Sequence, residues 1–159
     1  MGRTKRAPKS RGVAKVPVIM QMENMECGAA CLAMVLAYYG KWVPLSQLRK
    51  LCGISRDGAK LSTVAKTARM MGLEAQGYRY ETDDFFENAT FPCVAHWNFT
   101  HFVVVCGRRG NTVTINDPAS GSVKISLQDF DEAFTGLCVC FSPERILSLT
   151  ASGEAWSFT

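Results

Sequence analysis

Apolar and polar residues recur along this chain with two different periods, and the change between them falls near Leu73. From Glu26 to Tyr39 the chain is dense in Ala, Leu and Met and closes at Gly40, the pattern of a helix with a glycine stop. Pro44 opens a second short helix in which Leu45, Leu48 and Leu51 recur at helical spacing before Gly53. Ser62 can cap a third, with Val64, Ala65, Ala68 and Met71 on one face and Gly72 at its end. Leu73 to Tyr80 reads as extended, and Thr82 can cap a short turn of helix through Asn88. Beyond Phe91 the pattern predicts strands at Cys93–Trp97, His101–Gly107, Thr112–Asn116, Val123–Ser126 and Leu137–Phe141. Gly110-Asn111 and Pro118-Ala119-Ser120-Gly121 supply turns, and Ser126 can cap a helix from Leu127 to Phe134. Val16 to Met20 is expected to enter the body as a short extended segment. Helices first and strands second predict an α+β fold, with N-terminal helices packed on an antiparallel sheet.

Composition narrows the class. With 159 residues, 47% of them hydrophobic, the chain is one ordinary soluble domain rather than a disordered, collagenous or disulfide-scaffold protein. It holds no run of 18 apolar residues that could span a bilayer, and its basic start is followed by no apolar segment of the signal-peptide kind. The formal net charge of +4 is unevenly placed. Arg3, Lys5, Arg6, Lys9, Arg11 and Lys15 fall in the first 15 residues with no acid among them, leaving 12 basic against 14 acidic residues from Val16 onward. A body of charge −2 gives no reason to expect a nucleic-acid partner. Residues 1–15 read as a disordered basic tail, either a solvated arm or a remnant of expression. Residues 16–143 are expected to form the domain, and the Ser-, Gly- and Thr-containing stretch 144–159 a linker leaving it.

Seven cysteines cannot all pair internally, and without an export signal reduced thiols are the expectation. Cys93, Cys106, Cys138 and Cys140 lie in or beside strand-like stretches and read as packing residues. Cys27 and Cys31 share a helix face and Cys138 and Cys140 alternate along a strand, but neither pair has zinc-ribbon spacing, so no metal site is expected. No phosphate-binding glycine motif is present.

Cys27 falls in the first turn of the first predicted helix, where free amide groups and the macrodipole favour a thiolate. Glu26 beside it opposes that shift. Taken alone, Cys27 is compatible with an inert packing residue as well as with a reactive thiol. Only two histidines are available as its partner. His101 opens a very apolar strand. A three-residue loop, Arg108 to Gly110, would place it opposite Asp117, and a two-residue loop opposite Pro118. A carboxylate there would orient the imidazole and stabilise its protonated form, although a surface contact at a hairpin end fits the same pattern. His96 reads as a hairpin-mouth or packed histidine, and Trp97 as core or pocket wall.

Two stretches carry a more specific signal. Gln21, four residues, then Glu26-Cys27-Gly28-Ala29-Ala30-Cys31-Leu32-Ala33-Met34 running to Tyr38-Tyr39-Gly40 resembles a cysteine motif. His101-Phe102-Val103-Val104, ten residues, then Ile115-Asn116-Asp117-Pro118 resembles the matching histidine motif. Together they resemble the bacteriocin-processing cysteine peptidase domain of peptidase-containing ABC transporters, papain-like in fold, over about Val16 to Pro143. Glu26 stands where the family also uses Asp.

The resemblance implies Cys27 as nucleophile, His101 as general base and acid, Asp117 as the residue orienting the imidazole, and Gln21 as oxyanion-hole donor with the Cys27 backbone N–H. Cys31 falls at a variable motif position and is expected to pack. It further implies a precursor peptide with an amphipathic helical leader, cut after a double-glycine-type motif in a slot that residues without large side chains can enter. Trp97 and Asn98 are candidates for part of the slot wall. Exposed members of Tyr38, Tyr39, Tyr78, Phe85 and Phe86 are candidates for a leader groove. No metal or organic cofactor is expected for the peptidase domain, with ATP only at the nucleotide-binding domain of the full transporter. The other partners implied are the transmembrane and nucleotide-binding domains of that transporter, at the cytoplasmic side of a bacterial membrane. A catalytically silent domain that only recruits the export substrate, and a free-standing papain-like amidase, are the alternatives.

Overall fold

The two periods in the sequence become helices and strands of one α+β structure. In a computed structural model of the chain, the described residues are 12–23, 26–52, 60–143 and 154–156. Among them α1 spans Cys27–Tyr38, and every residue from Cys27 to Ala37 is buried. A helix apolar on all sides has no face to give to solvent, so α1 is central, against α2 (Leu45–Cys52), α3 (Leu61–Met70) and the sheet. Gly40 ends it as expected. At φ +92° its N–H donates to the Ala37 carbonyl at 2.9 Å, and the Lys41 N–H donates to that of Leu36 at 2.8 Å.

Two expected caps are not used. α3 begins at Leu61 after Lys60, which leaves Ser62 inside the first turn. After β1 (Glu74–Arg79), α4 (Thr82–Asn88) starts behind Glu81, and the Thr82 hydroxyl instead bonds the Asp131 carboxylate. Ser126 does cap α5 (Leu127–Ala133), its hydroxyl accepting from the Asp129 N–H at 3.0 Å, an interaction worth about 1 kcal/mol.

The remaining strands are β2 (Cys93–Trp97), β3 (His101–Arg109), β4 (Thr112–Asp117), β5 (Gly121–Ser126), β6 (Phe134–Ser142) and β7 (Glu154–Trp156). They form one antiparallel sheet in the order β5-β4-β3-β2-β6-β1-β7. One face carries Val94, Phe102, Val104, Cys106 and Val139 against α1, α2 and α3. The other carries Cys93, Ala95, Val103, Val105 and Cys138 against Phe85 and Phe86 of α4 and Phe130 of α5. Those three rings are fully buried, each contributing roughly 1.5–3 kcal/mol of transfer free energy. Phe85 and Phe86 are therefore core residues and leave the set of groove candidates. Tyr38 keeps an exposed ring, while Tyr39 and Tyr78 are half-buried.

The β3–β4 hairpin departs from the expected register. The strands run on to Arg109 and Thr112, so the loop is Gly110-Asn111, and Arg109 faces Thr112. A bulge between Val105 and Gly107 then shifts the pairing to Val104 opposite Asn116. Asp117 thus lies one step beyond the last pair: the loop has the second expected length and falls on the expected Gly110-Asn111 turn, but the register differs from both expectations.

Residues 12–23 form a strap along β3 and β4. Val13 bridges to Gly107, the Ala14 N–H donates to the Cys106 carbonyl at 2.9 Å, and Asn116 Nδ2 donates to the Val16 carbonyl at 3.0 Å. Residues 12–15 of the expected tail are thereby tied to the sheet, and residues 1–11 lie outside the described residues. Within the expected linker 144–159, Glu154–Trp156 pair with Arg79–Gly77 of β1, and the rest lies outside the described residues. Among the described residues no helix is long and apolar enough to cross a membrane.

Candidate active site

Three sequence-distant elements converge at the N-terminal end of α1. Cys27 is the first residue of that helix and only 7% exposed. The first N–H groups of a helix, that of Cys27 among them, have no partner within the helix. His101 opens β3, and its Nε2 lies 2.7 Å from Asp117 Oδ1. The ring also lies close enough to the Cys27 side chain for that thiol to be the largest influence on its pKa. With Nε2 taken by Asp117, Nδ1 is the nitrogen left to face the sulfur. The Cys27–His101–Asp117 constellation expected from the motifs is thus assembled.

The Asp117 carboxylate has a second task. Oδ1 accepts the Ala119 N–H at 2.8 Å, and the Ser120 N–H donates to the Asp117 carbonyl at 3.1 Å. One oxygen therefore aligns the imidazole and closes the turn between β4 and β5. The His101 pKa is pushed up to about 9, first by its hydrogen bond with Cys27. Burial acts in the opposite direction, and the hydrogen bond the ring donates to Asp117 adds to the rise.

Gln21 sits where the strap reaches this cluster. Its backbone N–H donates to the Pro118 carbonyl at 2.9 Å, one residue past Asp117. Its side-chain Nε2 donates to the Glu23 carbonyl at 3.1 Å. Glu26, read from sequence as a motif residue whose charge opposes the thiolate, turns its carboxylate back onto the strap. Oε2 accepts the N–H groups of Met22 at 2.6 Å and Glu23 at 3.0 Å, and Oε1 lies 2.7 Å from Arg49 Nε on α2. The five-residue spacing from Gln21 to Glu26 was the available signal for that loop.

The remaining candidates divide. His96 is half-buried, its Nδ1 within 2.9 Å of the Thr135 hydroxyl and its ring against Phe102, and burial lowers its pKa. It is a packed histidine, as expected. Trp97 pairs with His101 across β2 and β3, but its indole packs on Phe130 and is 8% exposed. Little of that ring is available to a ligand. Asn98 is exposed, and its N–H donates to the Ala133 carbonyl at 2.8 Å. It and Phe99 take φ of 50° and 65°. Left-handed backbone is uncommon for an aromatic residue, and Phe99, 78% exposed two residues before His101, was not anticipated.

All seven cysteines are buried and unpaired. Burial, and then proximity to Cys27, raises the Cys31 pKa well above its usual value. Among the described residues no cluster of His, Cys, Asp or Glu is placed to hold a metal ion.

A thiol at the head of a buried helix, paired with an imidazole and a carboxylate carried by an antiparallel sheet, defines the papain-like class of cysteine peptidases. Over residues 15–146 the chain matches the Peptidase C39 family, and it belongs to that family. Among curated relatives, the colicin V secretion/processing ATP-binding protein CvaB of Escherichia coli is 38% identical over 79% of this chain. The lactococcin-G-processing and transport ATP-binding protein LagD of Lactococcus lactis is 30% identical over 80%. The chain spans about a fifth of the length of these relatives, 18% and 19%. Among solved structures, a double glycine motif protease from an AMS/PCAT transporter, determined with a leader peptide, is 61% identical. It has a TM-score of 0.83, covering 84% of this chain and 96% of that one. The peptidase domain of Streptococcus ComA superposes with a TM-score of 0.75 at 25% identity, covering 82% of this chain and 99% of that one.

Proposed function

We propose that this chain is a cysteine endopeptidase domain that removes the leader of a secreted bacteriocin-type precursor peptide, cutting after a double-glycine-type motif, and that it works as part of an ABC exporter. The observation that carries the reading is the placing of Cys27 beside His101, whose Nε2 lies 2.7 Å from Asp117 Oδ1. The leader-bound protease at 61% identity and the processing transporters among the relatives support the substrate class and the coupling to export.

In this mechanism the Cys27 sulfur attacks the scissile carbonyl as a thiolate, and His101 Nδ1–H protonates the departing amine. Water then hydrolyses the thioester with the neutral imidazole as base, returning the thiolate–imidazolium pair. Asp117 holds the ring through Nε2 throughout. The tetrahedral oxyanion is met by the Cys27 backbone N–H and by the Gln21 amide hydrogen not committed to Glu23. Such donors are worth about 3–4 kcal/mol of transition-state stabilisation in other acyl-transfer enzymes. The peptidase chemistry needs no metal or organic cofactor. ATP belongs to the nucleotide-binding domain of the whole transporter, and the peptidase domain faces the cytoplasm beside its membrane domain. Asn98 contributes to the slot for the small leader residues, with Trp97 supplying at most an edge.

The test is incubation with a synthetic peptide whose amphipathic helical leader ends in Gly-Gly, with products read by mass spectrometry. One cut after the second glycine is expected. Cys27→Ala should abolish it, to below about 10⁻⁴ of the original rate, while still binding the leader by fluorescence anisotropy. Binding without any cut by the unaltered chain would establish the silent recruiting domain instead. Cutting that survives Cys27→Ala would remove the mechanism.

A further inference from the structure

A buried carboxylate one residue from a nucleophilic thiol is costly twice over, since it is taken out of water and repels the thiolate. Glu26 is 1% exposed and occupies that position. An apolar side chain there would avoid both costs, so what the carboxylate holds is informative. Its Oε2 accepts two successive backbone N–H groups, those of Met22 and Glu23. The Glu23 carbonyl in turn accepts the side-chain Nε2 of Gln21 at 3.1 Å. On its other side Glu26 Oε1 lies 2.7 Å from Arg49 Nε, a close charge contact rather than an aligned hydrogen bond. A continuous series of polar contacts therefore runs from Arg49 of α2 through Glu26 and Glu23 to the Gln21 amide.

We propose that Glu26 and Arg49 are positioning residues that hold the Gln21 amide as oxyanion donor. This rests on the role given to Gln21 above. Gln21 stands on a strap rather than on a helix or an inner strand, and its own N–H anchors it on one side only, at Pro118. The Glu26 carboxylate anchors the other side. The Arg49 guanidinium, 2.7 Å from Oε1, holds that carboxylate directed inward onto the backbone N–H groups of Met22 and Glu23. The arrangement also couples α2 to catalysis, although no α2 residue has a part in the bond-breaking steps.

The experiment compares Glu26→Gln, Arg49→Met and Arg49→Lys in the whole chain, with the Gly-Gly leader peptide as substrate. Glu26→Gln is isosteric and Arg49→Met keeps the aliphatic stem, which limits damage to the fold, and melting temperature checks it. Glu26→Gln and Arg49→Met should each lower kcat about 10- to 100-fold, the scale of a displaced rather than deleted oxyanion donor. KM should move less than about threefold, since the lost contact acts in the transition state. Arg49→Lys should recover most of the rate. Alkylation of Cys27 by iodoacetamide forms no oxyanion, so its rate and pH profile should stay unchanged. A peptide aldehyde ending in Gly-Gly forms a tetrahedral adduct on Cys27, and its affinity should fall in parallel with kcat.

The deciding measurement is the double variant. In a Gln21→Ala background, adding Glu26→Gln should cost almost nothing further, because its effect passes through the amide already removed. A full additional loss would overturn the positioning role, and so would an alkylation rate that falls with kcat. Unchanged kcat in Glu26→Gln and Arg49→Met, with Gln21→Ala still impaired, would defeat this proposal and leave the proposed function standing. Unimpaired Gln21→Ala would instead withdraw the role of Gln21, and this proposal with it.

Discussion

Gly107 and Gly12 meet backbone to backbone: a Cβ added to Gly107 would lie 2.3 Å from the Gly12 carbonyl oxygen and 3.0 Å from the Val13 Cα. No side chain can be accommodated there without moving the strap away from β3, and at φ +144° the position is unfavourable to any L-residue besides. The strap carries Gln21 some nine residues further on. Gly107→Ala should therefore destabilise the fold by roughly 1–3 kcal/mol and lower kcat more than it raises KM. Urea unfolding and steady-state kinetics read the two effects. Gly110, whose Cβ would meet open space, is the control: Gly110→Ala should leave kcat unchanged.

The raised pKa of His101 sets a stability window. The folded value is about 9, lifted chiefly by the hydrogen bond with Cys27, against about 6.5 for an unperturbed histidine. A group whose folded pKa exceeds its unfolded one stabilises the fold fully below the unfolded value, and that contribution is lost as pH rises through the folded one. Thermal melts from pH 6 to 10 should show wild type losing stability toward pH 9 relative to His101→Gln. The basic limb of kcat/KM should fall in the same region, as the imidazolium that protonates the leaving amine disappears. Parallel melting curves across that range would contradict the assigned pair.

Removing His101 and removing Asp117 should differ in cost. His101→Ala deletes the proposed acid–base group and should lower kcat/KM by roughly 10³-fold or more, while Asp117→Asn, which loses only charge and orientation, should cost on the order of 10². Asn can still accept the Ala119 N–H at the turn, so Asp117→Asn should retain its melting temperature more closely than Asp117→Ala. Progress curves and melts on the three variants separate the two tasks of that carboxylate.

Thiol reactivity should single out Cys27. Cys31 lies one helical turn away but is fully buried, with its pKa raised well above the usual value by that burial, and buried thiols in apolar surroundings react slowly. Limited iodoacetamide treatment followed by peptide mapping should find Cys27 labelled first. Preferential labelling of Cys31 would reverse the assignment.

Much of this site was legible in the sequence because its parts are local. The buried helix announces itself as an unbroken apolar run closed by Gly40, and His101 as a polar residue at the mouth of Phe102-Val103-Val104-Val105. Register was less accessible, since the bulge at Cys106 adds a residue that no alternation of side chains reveals. His101 and Asp117 still meet because long side chains reach diagonal neighbours across a sheet. Capping by Ser62 and Thr82 failed because both helices begin earlier, behind Lys60 and Glu81, neither of which caps with its side chain, so packing rather than a hydroxyl decides where the first turn starts. The inward-turned Glu26 carboxylate meets Arg49, more than twenty residues away, and no local pattern encodes that contact.

The helix bearing Cys27 has no exposed residue before Tyr38, whereas the strap bearing Gln21 exposes Lys15, Val18, Met20, Met22 and Glu23. The proposed nucleophile and the proposed oxyanion donor thus stand at opposite ends of the scale of local opening. Amide hydrogens inside α1 should exchange only through global unfolding, while those of the strap exchange through small excursions that leave the body intact. The thermal ceiling on peptide cutting is then set by the strap. Gentle warming should release Gln21 and silence the enzyme reversibly at temperatures where the core has not yet begun to melt.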